Sequence, residues 1–436
     1  MVNTSIQLKL EQAQAAFTAS NWSLLVQCLQ QLIPVGKREQ SGINTTPEAT
    51  QLLNFAIAVL FAGDFQQRWD VAKLIPRLGT IAIAPLVEIL EEDDDDELCW
   101  FAARTLGEFD HPQAIAALVE LIKTTDNEEL QAIAATALGQ IGSSAVTVLT
   151  ELLVDENTRL IAVRSLAYIR RSETIAPLLS VVSDPQVNVR ATAIEALSSF
   201  HDSRIAPVLL HALNDIAAFV RREAVLGLGF RADLCTELDL VAHILPRLYD
   251  FNLDVCHAAA IALGRLGTEP AVIGLDQVLQ SPHTPESLQI EIVRALGRIE
   301  SNLALDKLSS FLEQSPSVAV CQEIITVLGQ VEQPNNQVKA ANILINMLRL
   351  QHPATEIGRI RGVIALSLGY LGQLPAIEPL INLLADSERV VKLHAIAALK
   401  KLAPEIAHQQ LQQIATSDVA PELKQGVAIA LAEWSN

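Results

Sequence analysis

The residues with chemistry to offer recur at near-constant spacing. Arg159, Arg190 and Arg221 stand 31 residues apart, as do Arg361 and Lys392, with Lys424 a further 32 on. In the same register lie Val71, Cys99 and Gln131 before the first triplet, and Cys256, Gln289 and Cys321 between the two. Arginine and lysine supply hydrogen-bond donors and fixed charge. Cysteine and the adjacent His257 are potential metal ligands. One reading is a pair of positive patches gripping an acidic partner, with Arg190, Arg221, Arg222, His257, Arg361, Lys392 and Lys424 as contacts. The other is a structural ladder, each arginine pairing with an aspartate such as Asp184 or Asp215 in a neighbouring turn, and each cysteine a small apolar filler.

The elements that carry these positions repeat as well. Segments such as FAARTLGEF, AATALGQIG, RATAIEALSSF, REAVLGLGF, AAAIALGRLG and VIALSLGYLG share small apolar residues closing on a leucine. Taking that leucine as anchor gives Leu78, Leu106, Leu138, Leu166, Leu197, Leu228, Leu263, Leu296, Leu328, Leu368, Leu399 and Leu431, 28 to 40 residues apart. Apolar residues four and three before the anchor and three after it form one face of an α-helix. The glycine that commonly follows the anchor suits a helix end needing a left-handed residue, or a close neighbour. A second apolar-periodic stretch follows (IAPLVEIL, IAALVELI, IAPLLSVV), with Pro85, Pro177, Pro207 and Pro379 near its start, where a missing N–H costs little.

Each unit is therefore a helical hairpin, and a hairpin buries its apolar face only by stacking on the next. The expectation is an all-α solenoid of about twelve hairpins over residues 66–436, with residues 1–65 as an N-terminal helical cap and a linker at Asn44–Glu48. Cys256 and Cys321 would then lie two repeats, about 20 Å, apart, too far to share one metal ion. The longest interval, Leu328 to Leu368, holds QHPATEI, either a recognition loop or an insertion of no consequence.

Composition removes other classes. With 50 acidic against 31 basic residues and a net charge of −19, phosphate-backbone binding lacks the clustered cations it needs. The acids gather in the turns, EEDDDDE at 91–97 above all, where they cap helices or steer a basic partner. Five cysteines without CxxC spacing fit reduced thiols. No signal-peptide pattern and no apolar run of about 20 residues is present, so membrane insertion is not expected and a cytoplasmic location is. Nucleophile-elbow, zinc-protease, phosphate-loop and dinucleotide-binding motifs are absent.

These units resemble HEAT repeats of the short bacterial type found in phycobilisome-lyase HEAT-like proteins. The resemblance spans about residues 66–436 and implies a cyanobacterial source, in a family that includes bilin lyases, phycobilisome-degradation factors, hydroxylases and scaffolds. Di-iron hydroxylases of this type use His-Glu pairs, and none of the nine histidines here is followed by Glu. A bilin lyase would need aromatic walls and cations for the propionates, for which Trp100, Tyr168, Phe230, Tyr370 and Arg221 are candidates. The expected function is a non-enzymatic scaffold, without cofactor or metal, that binds a protein on its concave face. A phycobilin lyase or phycobiliprotein chaperone of the E/F type is one alternative. A helper of an iron–sulfur cluster carrier, with one cysteine as shared ligand, is another.

Overall fold

The computed structural model describes residues 2–33, 47–314 and 317–434. All regular structure among them is helical, as the periodicity predicts. The linker expected at Asn44–Glu48 lies outside the described residues up to 46, and Pro47 and Glu48 already belong to the helix Pro47–Ala62. The chain divides into two compact units, Met1–Ile205 and Ala206–Asn436.

In the first unit, Val2–Thr18, Trp22–Leu32 and Pro47–Ala62 precede the short helix Phe65–Ala72. Hairpins then follow: Ile83–Glu92 with Asp96–Leu106, Pro112–Thr124 with Glu128–Ile141, Val146–Leu152 with Glu156–Ile169, and Ile175–Ser180 with Val187–Leu197. In each, the anchor leucine sits on the second helix, fully buried. The second unit continues the pattern through the anchor helices Ala218–Leu228, Leu253–Leu266, Glu286–Ile299, Val318–Gly329, Gly358–Leu371, Arg389–Leu402 and Pro421–Trp434. Within each unit successive anchor helices pack side by side as one layer. No single described helix is long and apolar enough to cross a membrane.

Small residues set how closely these helices approach. A Cβ on Gly107 would stand 2.8 Å from Ala137 Cα, one on Gly229 2.8 Å from Ala262 Cα, and one on Gly264 2.9 Å from Ala295 Cα. The residue after one anchor thus meets the residue before the next. Of the two reasons for glycine there, close approach is the operative one. The expectation that the helix stops at this glycine holds at Gly107 and Gly229, which cap Asp96–Leu106 and Ala218–Leu228 in right-handed rather than left-handed conformation, and is corrected at Gly264 and Gly369, which lie inside Leu253–Leu266 and Gly358–Leu371. Left-handed termination falls three residues later, at Gly267 (φ 66°) and Gly372 (φ 68°).

The long Leu328–Leu368 interval is taken up by a 16-residue helix, Pro334–Arg349, and a 3-10 turn at Pro353–Glu356. His352 ties that turn down, through Nε2 to the Leu312 carbonyl at 3.0 Å and through Nδ1, which accepts from Ala354 N at 3.2 Å.

Candidate functional site

At seven of the twelve seven-before-anchor positions one geometry recurs among the described residues. The side chain donates to the backbone carbonyl six residues earlier, in the turn leading into its helix. Arg159 Nε reaches Leu153 O at 2.7 Å, Arg190 Nη1 reaches Asp184 O at 2.7 Å and Arg221 Nη1 reaches Asp215 O at 2.8 Å. Arg361 Nη1 bonds Thr355 O at 2.8 Å and Gln131 Nε2 bonds Thr125 O at 2.9 Å. The thiols do the same more weakly, Cys99 Sγ to Asp93 O at 3.4 Å and Cys256 Sγ to Asp250 O at 3.2 Å. Carbonyls left open by the preceding helix and turn are thereby satisfied.

Arginine alone is long enough to reach one turn further. Arg159 Nη1 meets Asp184 Oδ2 at 2.8 Å, Arg221 Nη2 meets Asp250 Oδ1 at 2.6 Å, and Arg361 Nη2 meets Asp386 Oδ1 at 2.9 Å. Each carboxylate also accepts from the backbone two residues on, at Gln186, Asn252 and Glu388. Burial alone would raise the Asp250 and Asp386 carboxyls, but arginine hydrogen bonds and these backbone N–H groups hold both below the ordinary carboxylate range. Arg221 and Arg361 are correspondingly raised, first by their hydrogen bonds to these carboxylates.

The first rung is displaced from its sequence register. Val71 is an apolar core residue, and Arg68 takes the duty instead, bonding Gly63 O at 3.1 Å, Glu97 at 2.9 Å and Asp95 at 3.3 Å. The three-residue offset hid Arg68 from a search based on the leucine anchor.

Of the seven candidate contacts, Arg190, Arg221 and Arg361 thus have their guanidinium groups drawn into the turns. Arg222 is half-exposed, paired with Glu223 at 2.5 Å and lying 4.6 Å over the Phe219 ring. His257 occupies the same place one repeat later, and its buried Nε2 has no hydrogen-bond partner among the described residues. Lys392 is half-buried, and its charge helps to lower Asp386. Lys424 is exposed.

Around Arg222 and His257 lies something the charge pattern did not reveal. Ile216 is 92% and Phe251 108% exposed, each next to a buried or half-buried aspartate in successive turns. Phe219 and Leu253, on the first turns of the helices that follow, are exposed too. Phe219 and Arg222 are three residues apart, Leu253 and His257 four, so each pair shares a helix face. Two adjacent repeats therefore present the same composition, a projecting apolar side chain at the turn and an apolar–basic pair behind it. Large apolar residues at turn positions were the available signal.

The thiols are placed differently from a shared-ligand site. Cys28, Cys99, Cys256 and Cys321 are buried. Cys99 is pushed up to about 11, first by burial and then by Asp93 and its acidic neighbours. No group of three or more potential metal ligands occurs among the described residues. Trp100 is a packed member of a ring cluster, 6.3 Å from Trp69 and 5.2 Å from Phe101, rather than an open wall. Tyr168, Phe230 and Tyr370 are exposed.

A family profile described as HEAT repeats matches residues 83–160, 148–229 and 350–432, more than half of the chain. A second, described as PBS lyase HEAT-like repeat, matches 255–281. No curated protein matches the sequence. Among solved structures, a crystal structure of importin beta aligns over 98% of this chain and 67% of its own at TM-score 0.54 and 14% identity. A homology model of the full-length AP-3 complex in an intermediate open conformation aligns over 98% and 93% at TM-score 0.52 and 12% identity. At these identities the likeness is one of fold.

Proposed function

We propose, from the premise that this chain belongs to the HEAT-repeat family, that it is a scaffold whose anchor-helix layer docks a protein partner. The observation that carries this reading is the pair of projecting apolar residues Ile216 and Phe251, backed by Phe219 with Arg222 and by Leu253 with His257. Large apolar groups exposed together on successive repeats are stable in water only at a cost that a partner removes. An aromatic beside arginine is the usual make-up of an interface centre. Arg222 and His257 would donate to acceptors on the partner, with Lys392 and Lys424 as further contacts along the array. Arg221 would hold the turns that carry Ile216 and Phe251 and Arg361 the turn that enters the Lys392 helix, while Arg190 holds the turn one repeat earlier.

Affinity capture from the native cell tests this, comparing the wild type with Ile216→Ser/Phe251→Ser. A partner held by the wild type and lost by the variant, with helicity and melting unchanged, supports the site. An identical set of partners on both proteins removes it.

Pigment handling is the second reading, favoured by the PBS lyase HEAT-like repeat at 255–281 and by the exposed Phe230 and Tyr370 rings beside Arg265 and Lys401. A red-shifted spectrum on incubation with phycocyanobilin would favour it over the scaffold. Burial of Cys99, Cys256 and Cys321, with the Cys99 and Cys256 thiols raised by it, gives no support to an iron–sulfur carrier helper.

A further inference from the structure

The position two after the anchor forms a line of its own in the second unit: Phe230, Arg265, Arg298, Gln330, Tyr370 and Lys401 on successive repeats. The glycine seam one residue earlier draws these helices together, so side chains from neighbouring repeats meet. Arg265 lies 4.1 Å over the Phe230 ring and Lys401 Nζ 3.6 Å over the Tyr370 ring. Both rings are more than half exposed.

Arg265 is the anomaly in this line. Its Nη1 is buried and has no hydrogen-bond partner among the described residues. Burial and the like charge of Arg298 on the next repeat both work against its ionised form. Arg298 is exposed and, like Arg265, has no ion pair or hydrogen bond in the described structure. Other arginines of this unit are neutralised by a neighbouring carboxylate, as Arg221 is by Asp250 and Arg294 by Glu323. Two adjacent guanidinium groups without an ion-pair partner, one half-buried and one exposed, concentrate positive charge where an incoming carboxylate would make charge-assisted hydrogen bonds and relieve their mutual repulsion.

We infer that the Phe230–Arg265–Arg298 edge binds an acidic, extended segment of a protein partner, its carboxylates on the two guanidinium groups and an apolar side chain against Phe230. Neighbouring repeats are about 10 Å apart, which an extended chain at about 3.3 Å per residue spans in three residues. Carboxylates at i and i+3 therefore match Arg265 and Arg298. Nucleic acid is disfavoured because a phosphate backbone needs a continuous basic track, whereas the line gives way to Gln330 and Tyr370 after two cations. This surface is separate in residues from the Ile216 and Phe251 site, so either can fail without the other.

The test is fluorescence anisotropy on the full chain with a labelled peptide of about nine residues carrying Glu at every third position and one Phe, beside the same peptide with Gln for Glu. Salt-sensitive binding of the Glu peptide only, weakened about tenfold by Arg298→Glu and again by Arg265→Gln, is expected. Arg298 is exposed, so its variant tests the site without burdening the fold, and circular dichroism verifies both. Equal binding of the two peptides, or unchanged affinity in both variants, overturns the proposal. So does tighter binding of a single-stranded oligonucleotide through the same arginines, or self-association of the wild type that Arg298→Glu abolishes.

Discussion

The guanidinium of Arg221 closes on the carboxylate of Asp250, 29 residues further along the chain, with Nη2–Oδ1 at 2.6 Å and Nε–Oδ2 at 2.8 Å. The same guanidinium caps the carbonyls of Asp215 and Ile216. One side chain therefore locks the turn that enters its own helix and ties it to the turn of the following repeat.

Arg221→Ala should destabilise the second unit strongly, because Asp250, with 5% of its side chain exposed, is left charged and unpaired. Loss of one partner from such a pair costs about 3–5 kcal/mol. Arg221→Ala/Asp250→Asn should recover part of that loss. Urea midpoints of the four proteins in the cycle check it, and additive single effects would contradict the coupling.

Acid should weaken the ladder. Asp250 and Asp386 have folded pKa values below their unfolded ones. Their contribution is thus complete above the unfolded carboxyl value of about 3.9 and is lost as pH falls through the folded value. Melting temperature should drop between about pH 5 and pH 2, and less steeply in Asp250→Asn. Parallel profiles for the variant and wild type would assign the acid sensitivity to other groups.

Gly264→Ala should destabilise although alanine is the better helix former by about 1 kcal/mol. The new Cβ would fall 2.9 Å from Ala295 Cα, forcing two helices apart at the net loss of about 1–3 kcal/mol typical of overpacking. Calorimetric melting measures it, and a raised midpoint would mean that the seam has slack.

How much of this was legible in the chain depends on how far each signal reaches. Hydrophobic period and a recurring leucine fixed the helices, their pairing and the stacking, because those depend on which residues share a face within a few turns. The register of the basic positions was legible for the same reason, and so was the ladder as one of two meanings for it. Choosing between the meanings needed the distance from Arg221 to Asp250 and from Arg361 to Asp386, which the pitch between repeats sets. Arg68 escaped because its helix is shorter and its register slips by three. The glycine after the anchor carried a tertiary reason, Ala262 or Ala295 on the next helix, that in one dimension cannot be told from a terminator. Ile216 and Phe251 read as ordinary apolar residues until folding turned them outward, and Arg265 as one charge among many until packing closed Phe230 over it and left its Nη1 dry.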